Sequence, residues 1–218
     1  MALRLLVLGP PGAGKGTQAM KIAREHGVPK ISTGDMLRDA VTSGSPLGVL
    51  IAETMAQGKL VSDDVIVALV ADRLEEDDAR KGFVLDGFPR TVTQAKALDG
   101  LLKGAPLAVV EIRVPDEELV RRVRGRRICE RCGTTVSAFD GDPVLAQACR
   151  SCGGRLVQRS DDSELVVRDR LKVYWRETQP MIGFYEGRPT FRRIDGTVPP
   201  VEVYAAISEA VASAGAEG

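Results

Sequence analysis

The most telling absence in this 218-residue sequence is asparagine, which occurs nowhere in the chain. Without asparagine the chain cannot carry the Asn-Lys-x-Asp segment with which GTP switch proteins read guanine. The 30 basic residues are balanced by 30 acidic ones, so no overall positive field draws the protein to nucleic acid. Aromatic residues make up only 4% of the chain, which disfavours a platform for stacking RNA bases. GTP switches and general nucleic-acid binders are therefore disfavoured.

Long hydrophobic runs are absent as well. The apolar stretch at residues 3–8 is far too short to cross a membrane, and no signal-like cleavage site follows it. Histidine is equally scarce, with His26 as the single copy. The length, in contrast, is sufficient for one α/β domain with a substantial core and small inserted lobes. We therefore expect a cytoplasmic protein that does not contact a membrane.

A glycine-rich loop stands near the start of the chain. Residues 5–17 read Leu-Leu-Val-Leu-Gly-Pro-Pro-Gly-Ala-Gly-Lys-Gly-Thr, an apolar strand followed by a loop that opens a helix. The glycines let backbone N–H groups turn toward an anion, and the helix N-terminus adds its positive dipole end. Lys15 then puts a flexible charge where the outer phosphates of a nucleoside triphosphate would lie, although the hydroxyl comes one position late, at Thr17. The order of strand, loop, lysine and helix favours a phosphate site over a turn that binds nothing.

Strands and helices are predicted to alternate along most of the chain. Five short segments are predicted to form strands, at residues 3–8, 29–32, 82–85, 107–114 and 191–194. With helices between them, this order predicts a parallel sheet covered on both faces, whose ligands bind beyond the carboxyl ends of the strands. Gly9, Ser32–Thr33 and Asp86 all lie at such ends, which predicts one shared site.

The helical periodicity fades at residues 125–162, a segment rich in glycine, cysteine and turn residues. We interpret this segment as an insertion, after which the main domain resumes in a helix from Ser163. An apolar stripe on that helix is predicted to face the core, and it consists of Val167, Leu171, Tyr174 and Trp175.

All four cysteines of the chain lie in the insertion. They form two Cys-x-x-Cys pairs, Cys129 with Cys132 and Cys149 with Cys152. This spacing is typical of a four-thiolate zinc site, and a zinc ion with four protein ligands has a structural rather than a catalytic role. Disulfides or unconnected thiols are the alternative, which a cytosolic setting disfavours.

Several arginines lie at predicted loop ends and hinges. Planar guanidinium groups match phosphates well, so these arginines are candidates for a site between two nucleotides. The candidates are Arg38, Arg90, Arg122, Arg126, Arg159 and Arg170. Arg126 and Arg159 flank the insertion, and Arg170 lies about three helical turns beyond Arg159.

Four segments together resemble the adenylate kinase family. They read Gly9-Pro-Pro-Gly-Ala-Gly-Lys-Gly-Thr17, Ile31-Ser-Thr-Gly-Asp-Met-Leu-Arg38, Asp86-Gly-Phe-Pro-Arg-Thr91 and Gly125-Arg-Arg127. The likeness is closest to the long-lid form with a zinc-binding lid, and the Gly16-Thr17 ending of the loop is what this family shows. It implies an α/β, P-loop nucleoside monophosphate kinase-like fold over residues 1–218, with a parallel five-stranded sheet flanked by helices. Two insertions are implied, a helical AMP-binding lobe at 32–61 and a zinc-stabilised, ATP-covering lid at 125–162.

The resemblance also implies roles residue by residue. The residues implied to hold ATP are Gly12, Ala13, Gly14, Lys15, Gly16, Thr17, Arg122, Arg126, Thr135, Val136 and Val198. Those implied to hold AMP are Thr33, Arg38, Lys59, Leu60, Val61, Gly87, Phe88, Pro89, Arg90, Gln94, Arg159 and Arg170. The positive charges implied to act in catalysis are Lys15, Arg38, Arg90, Arg126, Arg159 and Arg170. Val136 stands where many members of the family have an aromatic residue.

The reaction implied by the resemblance is reversible, with MgATP and AMP giving two ADP. The attacking AMP phosphate oxygen is already anionic, so alignment and charge neutralisation replace a side-chain nucleophile or strong base. Asp86, at the end of a strand, is the candidate to orient Mg²⁺ through water. The amide of Gln94 can donate and accept along an adenine edge. We expect a monomer whose partners are ATP, AMP and ADP, without nucleic acid.

Two alternatives remain open at this point. Another nucleoside monophosphate kinase, acting on UMP, CMP or GMP, would share the loop, although Gln94 and the long zinc lid argue against it. A nucleic-acid-binding zinc module with a vestigial phosphate loop would share the cysteines, although the neutral charge and scarce aromatics argue against that class.

Overall fold

A five-stranded parallel sheet forms the centre of the computed structural model, which describes residues 2–137, 148–159 and 161–216. The strands are β1 (Leu3–Leu8), β2 (Lys30–Ser32), β3 (Gly82–Asp86), β4 (Ala108–Arg113) and β8 (Phe191–Asp195), in the spatial order β2-β3-β1-β4-β8. In the register of the sheet Asp86 pairs with both Val7 and Ser32. The carboxyl ends of the first three strands therefore lie side by side, and the predicted five-stranded parallel sheet is confirmed.

Nine α-helices are found among the described residues. They are α1 (Lys15–His26), α2 (Thr33–Thr42), α3 (Pro46–Ala56), α4 (Asp63–Glu75), α5 (Val92–Leu102), α6 (Asp116–Arg124), α7 (Glu164–Val173), α8 (Gln179–Glu186) and α9 (Pro200–Ala216). Local signals set many of the ends: α1 stops at Gly27 in the left-handed conformation, and α5 is capped by Thr91, whose side chain accepts a hydrogen bond from the amide of Gln94.

The two faces of the sheet bury separate cores because side chains alternate along β1. Leu5 and Val7 pack in a cluster that includes Ile22 of α1 and Ile207 of α9. Leu6 and Leu8 pack on the other face, in a cluster that includes Leu98 of α5. Burial on both faces is the expected state of a parallel strand, and it explains why residues 5–8 of β1 are all apolar.

The predicted stripe after Ser163 is wrong at one position. Tyr174 is buried, but Trp175 is 48% exposed and its Nε1 donates to the carboxylate of Asp116. The cause is local, because α7 ends at Val173 and a five-residue π-helix, Tyr174–Thr178, follows. The extra residue in a π turn shifts which side chains face inward, so the 3.6-residue period fails there.

The cysteine-rich segment contains a small antiparallel sheet, the lid sheet, that the sequence did not predict. Its strands are β5 (Arg126–Cys129), β6 (Thr135–Ser137) and β7 (Leu156–Val157), in the order β6-β5-β7. Its buried cluster consists of Cys129, Cys149 and Leu156, with Val136 and Cys152 partly buried against it. Residues 138–147 and 160 of the predicted lid lie outside the described residues.

None of the helices that the structure describes combines the length and apolar character that a bilayer-crossing segment needs.

The helices α2 and α3 approach each other closely at Gly48. A Cβ at this position would lie 1.9 Å from the carbonyl oxygen of Ala40, a contact with backbone that no rotamer change relieves. We expect Gly48→Ala to lower the free energy of unfolding by about 3 kcal/mol, which is the upper end of the usual cost of inserting an extra methyl group into a packed interior. Gly100→Ala is the matched control, since nothing lies within 4 Å of its Cβ position in α5 and the change should stabilise by about 0.5–1 kcal/mol. Urea unfolding of both variants tests this, and equal midpoints would contradict it.

Candidate active site

Glycines in the left-handed conformation shape the loop between β1 and α1. Gly12 has a φ of 89°, and a Cβ there would lie 2.7 Å from Cγ2 of Val123. Gly14, with a φ of 92°, is the N-cap of α1 and supplies no side chain to cap the first helical N–H groups. These donors and the positive end of the helix dipole therefore face the loop, which is the arrangement that binds phosphate.

Lys15 is the first residue of α1 and reaches back across the loop. Its Nζ donates a hydrogen bond to the Pro10 carbonyl oxygen at 2.8 Å. Burial lowers the pKa of Lys15 to about 8; the carboxylate of Asp86 opposes this shift, and the charges of Arg90 and Arg170 reinforce it. Lys15 therefore lies in a site where the positive charges of Lys15 and the arginines outweigh the negative charge of Asp86.

The geometry at Gly16 explains why the hydroxyl of this loop comes late. A Cβ at Gly16 would lie 3.2 Å from Oδ2 of Asp86, so a serine or threonine directly after the lysine would crowd that carboxylate. Thr17 follows as an exposed residue. Asp86 is the last residue of β3, and its carboxylate lies beside the phosphate loop.

A second concave site lies beyond the ends of β2 and β3. The Thr33 hydroxyl and the Arg90 Nε both donate to the carbonyl oxygen of Gly87, at 2.8 and 2.7 Å. The residues predicted to hold AMP that line this pocket are Thr33, Arg38, Lys59, Leu60, Val61, Gly87, Arg90, Gln94 and Arg170.

Three residues in the predicted AMP set lie elsewhere. Phe88 is fully buried in the core, and Pro89 is buried beside it, so their side chains do not line the pocket. Arg159 follows β7, and one of its terminal nitrogens lies 3.7 Å from Oδ1 of Asp35. The structure thus links the lid segment to α2 through an ion pair.

The arginines converge and are short of counter-charge. Burial and the charge of Arg170 lower the pKa of Arg90 to about 10. Burial and the charges of Arg38 and Arg126 lower the pKa of Arg159 to about 10 as well. The Nε of Arg159 is buried without a hydrogen-bond partner. Partly buried cations that repel one another, with an unused donor among them, form a site that an anion such as a phosphate would stabilise.

Carboxylates hold several of these arginines, and sequence reasoning missed them. Asp35 accepts from Arg38 at 2.5 Å and from Lys30 at 2.8 Å. Although burial opposes it, these hydrogen bonds keep the pKa of Asp35 well below its ordinary value. Asp161 accepts from Arg170 at 2.7 Å. Their closeness in sequence was an available signal, because Asp35 lies three residues before Arg38 and Asp161 lies two residues after Arg159.

A third acid of this kind is Asp162, which is fully buried. It receives two hydrogen bonds from Arg126, of which the one from Nε measures 2.8 Å. The pair joins β5 to the segment just before the Ser163 cap of α7, at the two ends of the insertion.

The remaining residues predicted to hold ATP lie on α6, on β6 and in the loop that follows β8. Arg122 on α6 donates to Glu118 at 2.7 Å, and Val198 packs partly buried against the core. The hydroxyl and the amide of Thr197 donate hydrogen bonds to Asp195 and keep its pKa below the ordinary value. The positive charge of Arg122 contributes to the same shift, so Arg122 lies near the loop that follows β8. Thr135 and Val136 are partly buried on β6.

The four cysteines converge in the small sheet. The Sγ atoms of Cys129 and Cys152 lie 3.5 Å apart, those of Cys132 and Cys149 3.6 Å apart, and all four lie within 4.8 Å of one another. A tetrahedral zinc ion with bonds of ~2.3 Å needs sulfurs about 3.8 Å apart, whereas a disulfide needs ~2.05 Å. The cysteines are free thiols whose arrangement fits zinc, and the disulfide alternative is wrong.

Comparison with known proteins agrees with this geometry. A family model described as adenylate kinase matches residues 7–189. Proteins named adenylate kinase from Rhizobium etli and Carboxydothermus hydrogenoformans are each 46% identical to this chain, over 215 and 212 residues. These alignments cover 97% and 96% of this chain and 99% of each relative. An adenylate kinase from Symbiobacterium thermophilum is 49% identical over 212 residues, which are 96% of this chain and 98% of that protein.

The resemblance inferred from the sequence motifs is thereby confirmed, as are the α/β fold and the assignment to the kinases, which are phosphotransferases. The match runs from the phosphate loop through the lid to the helices that follow it, so it is not confined to the loop. The chain belongs to the adenylate kinase family.

Proposed function

We propose that this protein transfers a phosphoryl group reversibly from MgATP to AMP, giving two ADP. The observation that carries the proposal is the pair of anion-receptive sites, the loop at Lys15 and the pocket at Arg90, joined by one set of partly buried cations. The charges of Arg90, Arg170 and Arg126 all act on Lys15, so phosphates in the two sites would share one electrostatic environment. Such an arrangement suits transfer between two nucleotides.

The chain supplies charge and alignment in this mechanism, not a reacting atom. The acceptor is an AMP phosphate oxygen that is already anionic, so an in-line approach and neutralisation of the transferring group are sufficient. The single histidine, His26, is exposed at the far end of α1, and the cysteines lie in the lid sheet. The groups proposed to neutralise charge are Lys15, Arg38, Arg90, Arg126, Arg159 and Arg170.

The substrate sites are proposed as follows. ATP phosphates bind the loop backbone from Gly12 to Thr17, while Arg122, Arg126, Thr135, Val136 and Val198 contact ATP from the lid side and the rim. AMP binds the pocket lined by Thr33, Arg38, Lys59, Leu60, Val61, Gly87, Arg90 and Gln94, with Arg159 and Arg170 on its phosphate. We expect the enzyme to act as a monomer.

Two carboxylates that both act on the charge of Arg90 are candidates for a magnesium ion that arrives with ATP. Asp86 lies next to Gly16, and Oδ1 of Asp161 is buried without a hydrogen-bond partner. We propose that these two residues hold the hydrated ion, Asp86 through water. When bound, Mg²⁺ supplies charge neutralisation at the ATP phosphates.

Water is the competing acceptor, and the two insertions are proposed to exclude it. The lobe at 32–61 would close over AMP and the lid at 125–162 over ATP, so that the arginine cage is complete only with both nucleotides present. The Arg159–Asp35 pair, which spans lid and lobe, supports this arrangement.

Capture of ATP should weaken as pH rises. Lys15 is charged below its pKa of about 8 and neutral above it, so kcat/KM for ATP, which reports the free enzyme, should fall above about pH 8. Bound phosphates favour the ammonium form and raise the pKa, so kcat at saturating ATP should stay level to higher pH. Rate profiles between about pH 6 and 10 measure both quantities, and a level kcat/KM throughout would remove Lys15 from the ATP site.

An acceptor screen tests the proposed function. ADP formation is followed with MgATP and, in turn, AMP, UMP, CMP and GMP. AMP should be preferred by at least about a hundredfold in kcat/KM, because a pocket built around hydrogen bonds rejects a base that leaves them unpaired. Preference for another monophosphate would assign the protein a different acceptor.

A further inference from the structure

The side chain of Asp63 connects two helices beside the acceptor pocket. Asp63 is the first residue of α4 and is partly buried. Its Oδ1 accepts a hydrogen bond from Nε2 of Gln94 at 2.8 Å, and its Oδ2 accepts one from the hydroxyl of Thr91 at 2.9 Å. Both donors lie about thirty residues away along the chain, on α5 and its cap, so the contact is tertiary.

The amide of Gln94 is held from its other side as well. The backbone N–H of Arg90 donates to Oε1 of Gln94 at 2.7 Å, and Gln94 is only 2% exposed. A backbone N–H can only donate and a carboxylate can only accept, so the two neighbours permit a single orientation of the amide. The oxygen must face Arg90 and the nitrogen must face Asp63.

In this orientation the Gln94 amide can still form two hydrogen bonds with a ligand. An amide offers two N–H donors and two acceptor positions, and the protein uses one of each. One donor and one acceptor remain on a side chain that lines the pocket. Adenine presents the complementary pair, an exocyclic amino donor and a ring-nitrogen acceptor.

We propose that Asp63 is a positioning residue that sets the base specificity of the acceptor pocket, because its contact to Nε2 prevents the Gln94 amide from reversing. The inference rests on the proposed function, in which Gln94 faces the base of AMP. A 6-oxo purine carries a carbonyl oxygen in place of the amino group and an N–H in place of the ring acceptor, so it requires the reversed amide. Reversal would set Nε2 against the Arg90 N–H and Oε1 against the Asp63 carboxylate, two repulsive contacts.

The test compares AMP with IMP, which differ in the 6-substituent and the adjacent ring position. Asp63→Ala removes the contact. Asp63→Asn is the conservative variant, since its Oδ1 can still accept from Gln94 while its Nδ2 donates to the Thr91 hydroxyl. Asp64→Ala is the matched control, because Asp64 is an exposed acid in the same first helical turn. The measurements are kcat, KM for AMP, KM for ATP and the AMP-to-IMP ratio of kcat/KM.

Asp63→Ala should raise KM for AMP and lower the AMP-to-IMP ratio, each about tenfold, the effect of one hydrogen bond to a charged group. In the same variant, KM for ATP should stay within about twofold of the value for the unaltered protein. Asp63→Asn should recover most of the AMP-to-IMP ratio, and Asp64→Ala should match the unaltered protein in every measurement. An unchanged ratio in Asp63→Ala, with AMP still phosphorylated by the unaltered protein, would overturn the proposal for Asp63 alone. Failure of the unaltered protein to phosphorylate AMP would instead overturn the proposed function.

A milder variant covers the case in which Asp63→Ala does not fold. Thr91→Val removes the second hydrogen bond to Asp63 and the cap of α5, a modest loss that a folded domain tolerates. The looser carboxylate should lower the AMP-to-IMP ratio about threefold. A ratio equal to that of the unaltered protein in this variant would also overturn the proposal.

Discussion

Replacing Lys15 by methionine should lower kcat by roughly a thousandfold while the protein stays folded. The expected size follows from the loss of one preorganised positive group at the transferring phosphoryl, where single groups contribute factors of this order. The side chain is partly buried, its pKa is lowered to about 8, and nearby arginines repel it. Removing its charge should therefore leave the melting temperature unchanged or higher, because a residue whose burial opposes stability is kept for function.

The matched control for this variant lies on the same helix. Lys21 of α1 is exposed and its Nζ lies 3.5 Å from the centre of the Tyr204 ring, away from the loop. Lys21→Met should keep kcat within about twofold, since a surface cation–π contact contributes only ~0.5–1 kcal/mol to folding. Near-normal turnover in Lys15→Met, measured as ADP formation at saturating nucleotides, would remove Lys15 from the catalytic set.

Removal of the lid metal is the second change with a large expected effect. The buried cluster of the lid sheet consists mostly of the cysteines themselves, with Leu156 and Val136 as its other members. A segment with so little apolar core depends on its metal, because the binding free energy of a structural zinc ion is folding free energy. Chelation should lower the melting temperature by about 10 °C or more and expose the lid to proteolysis, while some phosphoryl transfer persists.

A variant with serine at all four cysteine positions separates metal loss from other effects of the chelator. It should melt at the temperature of the chelated protein and should not respond to chelator, because it has no thiolate ligands. Metal released from the unaltered protein, measured with a zinc-sensitive dye, should amount to one ion per chain. An unchanged melting curve after complete release would show that the metal does not stabilise the lid.

The strands and the phosphate loop could be predicted because their signals are local. Residues 5–8 of β1 are all apolar since both faces of the strand are buried there, and the loop glycines occupy conformations that other residues adopt only with strain. The zinc-type cysteine spacing is local in the same sense. Each of these features is encoded within about twenty consecutive residues.

Features that depend on distant contacts escaped prediction. Asp63 meets Gln94 only through the packing of α4 on α5, and Asp162 meets Arg126 across the whole insertion. The strands of the lid sheet are two to four residues long, too short for alternation to be recognised. Trp175 was placed wrongly because a π-helix changes the period at that point.

The central claim is that the cation cage transfers phosphoryl only when both nucleotides occupy it. The most direct test is to follow ATP consumption and free phosphate in zinc-loaded protein with and without AMP. With AMP present, each ATP consumed should yield two ADP and no free phosphate; without AMP, ATP should persist. Consumption of ATP at the same rate in both mixtures, with release of phosphate, would contradict the account.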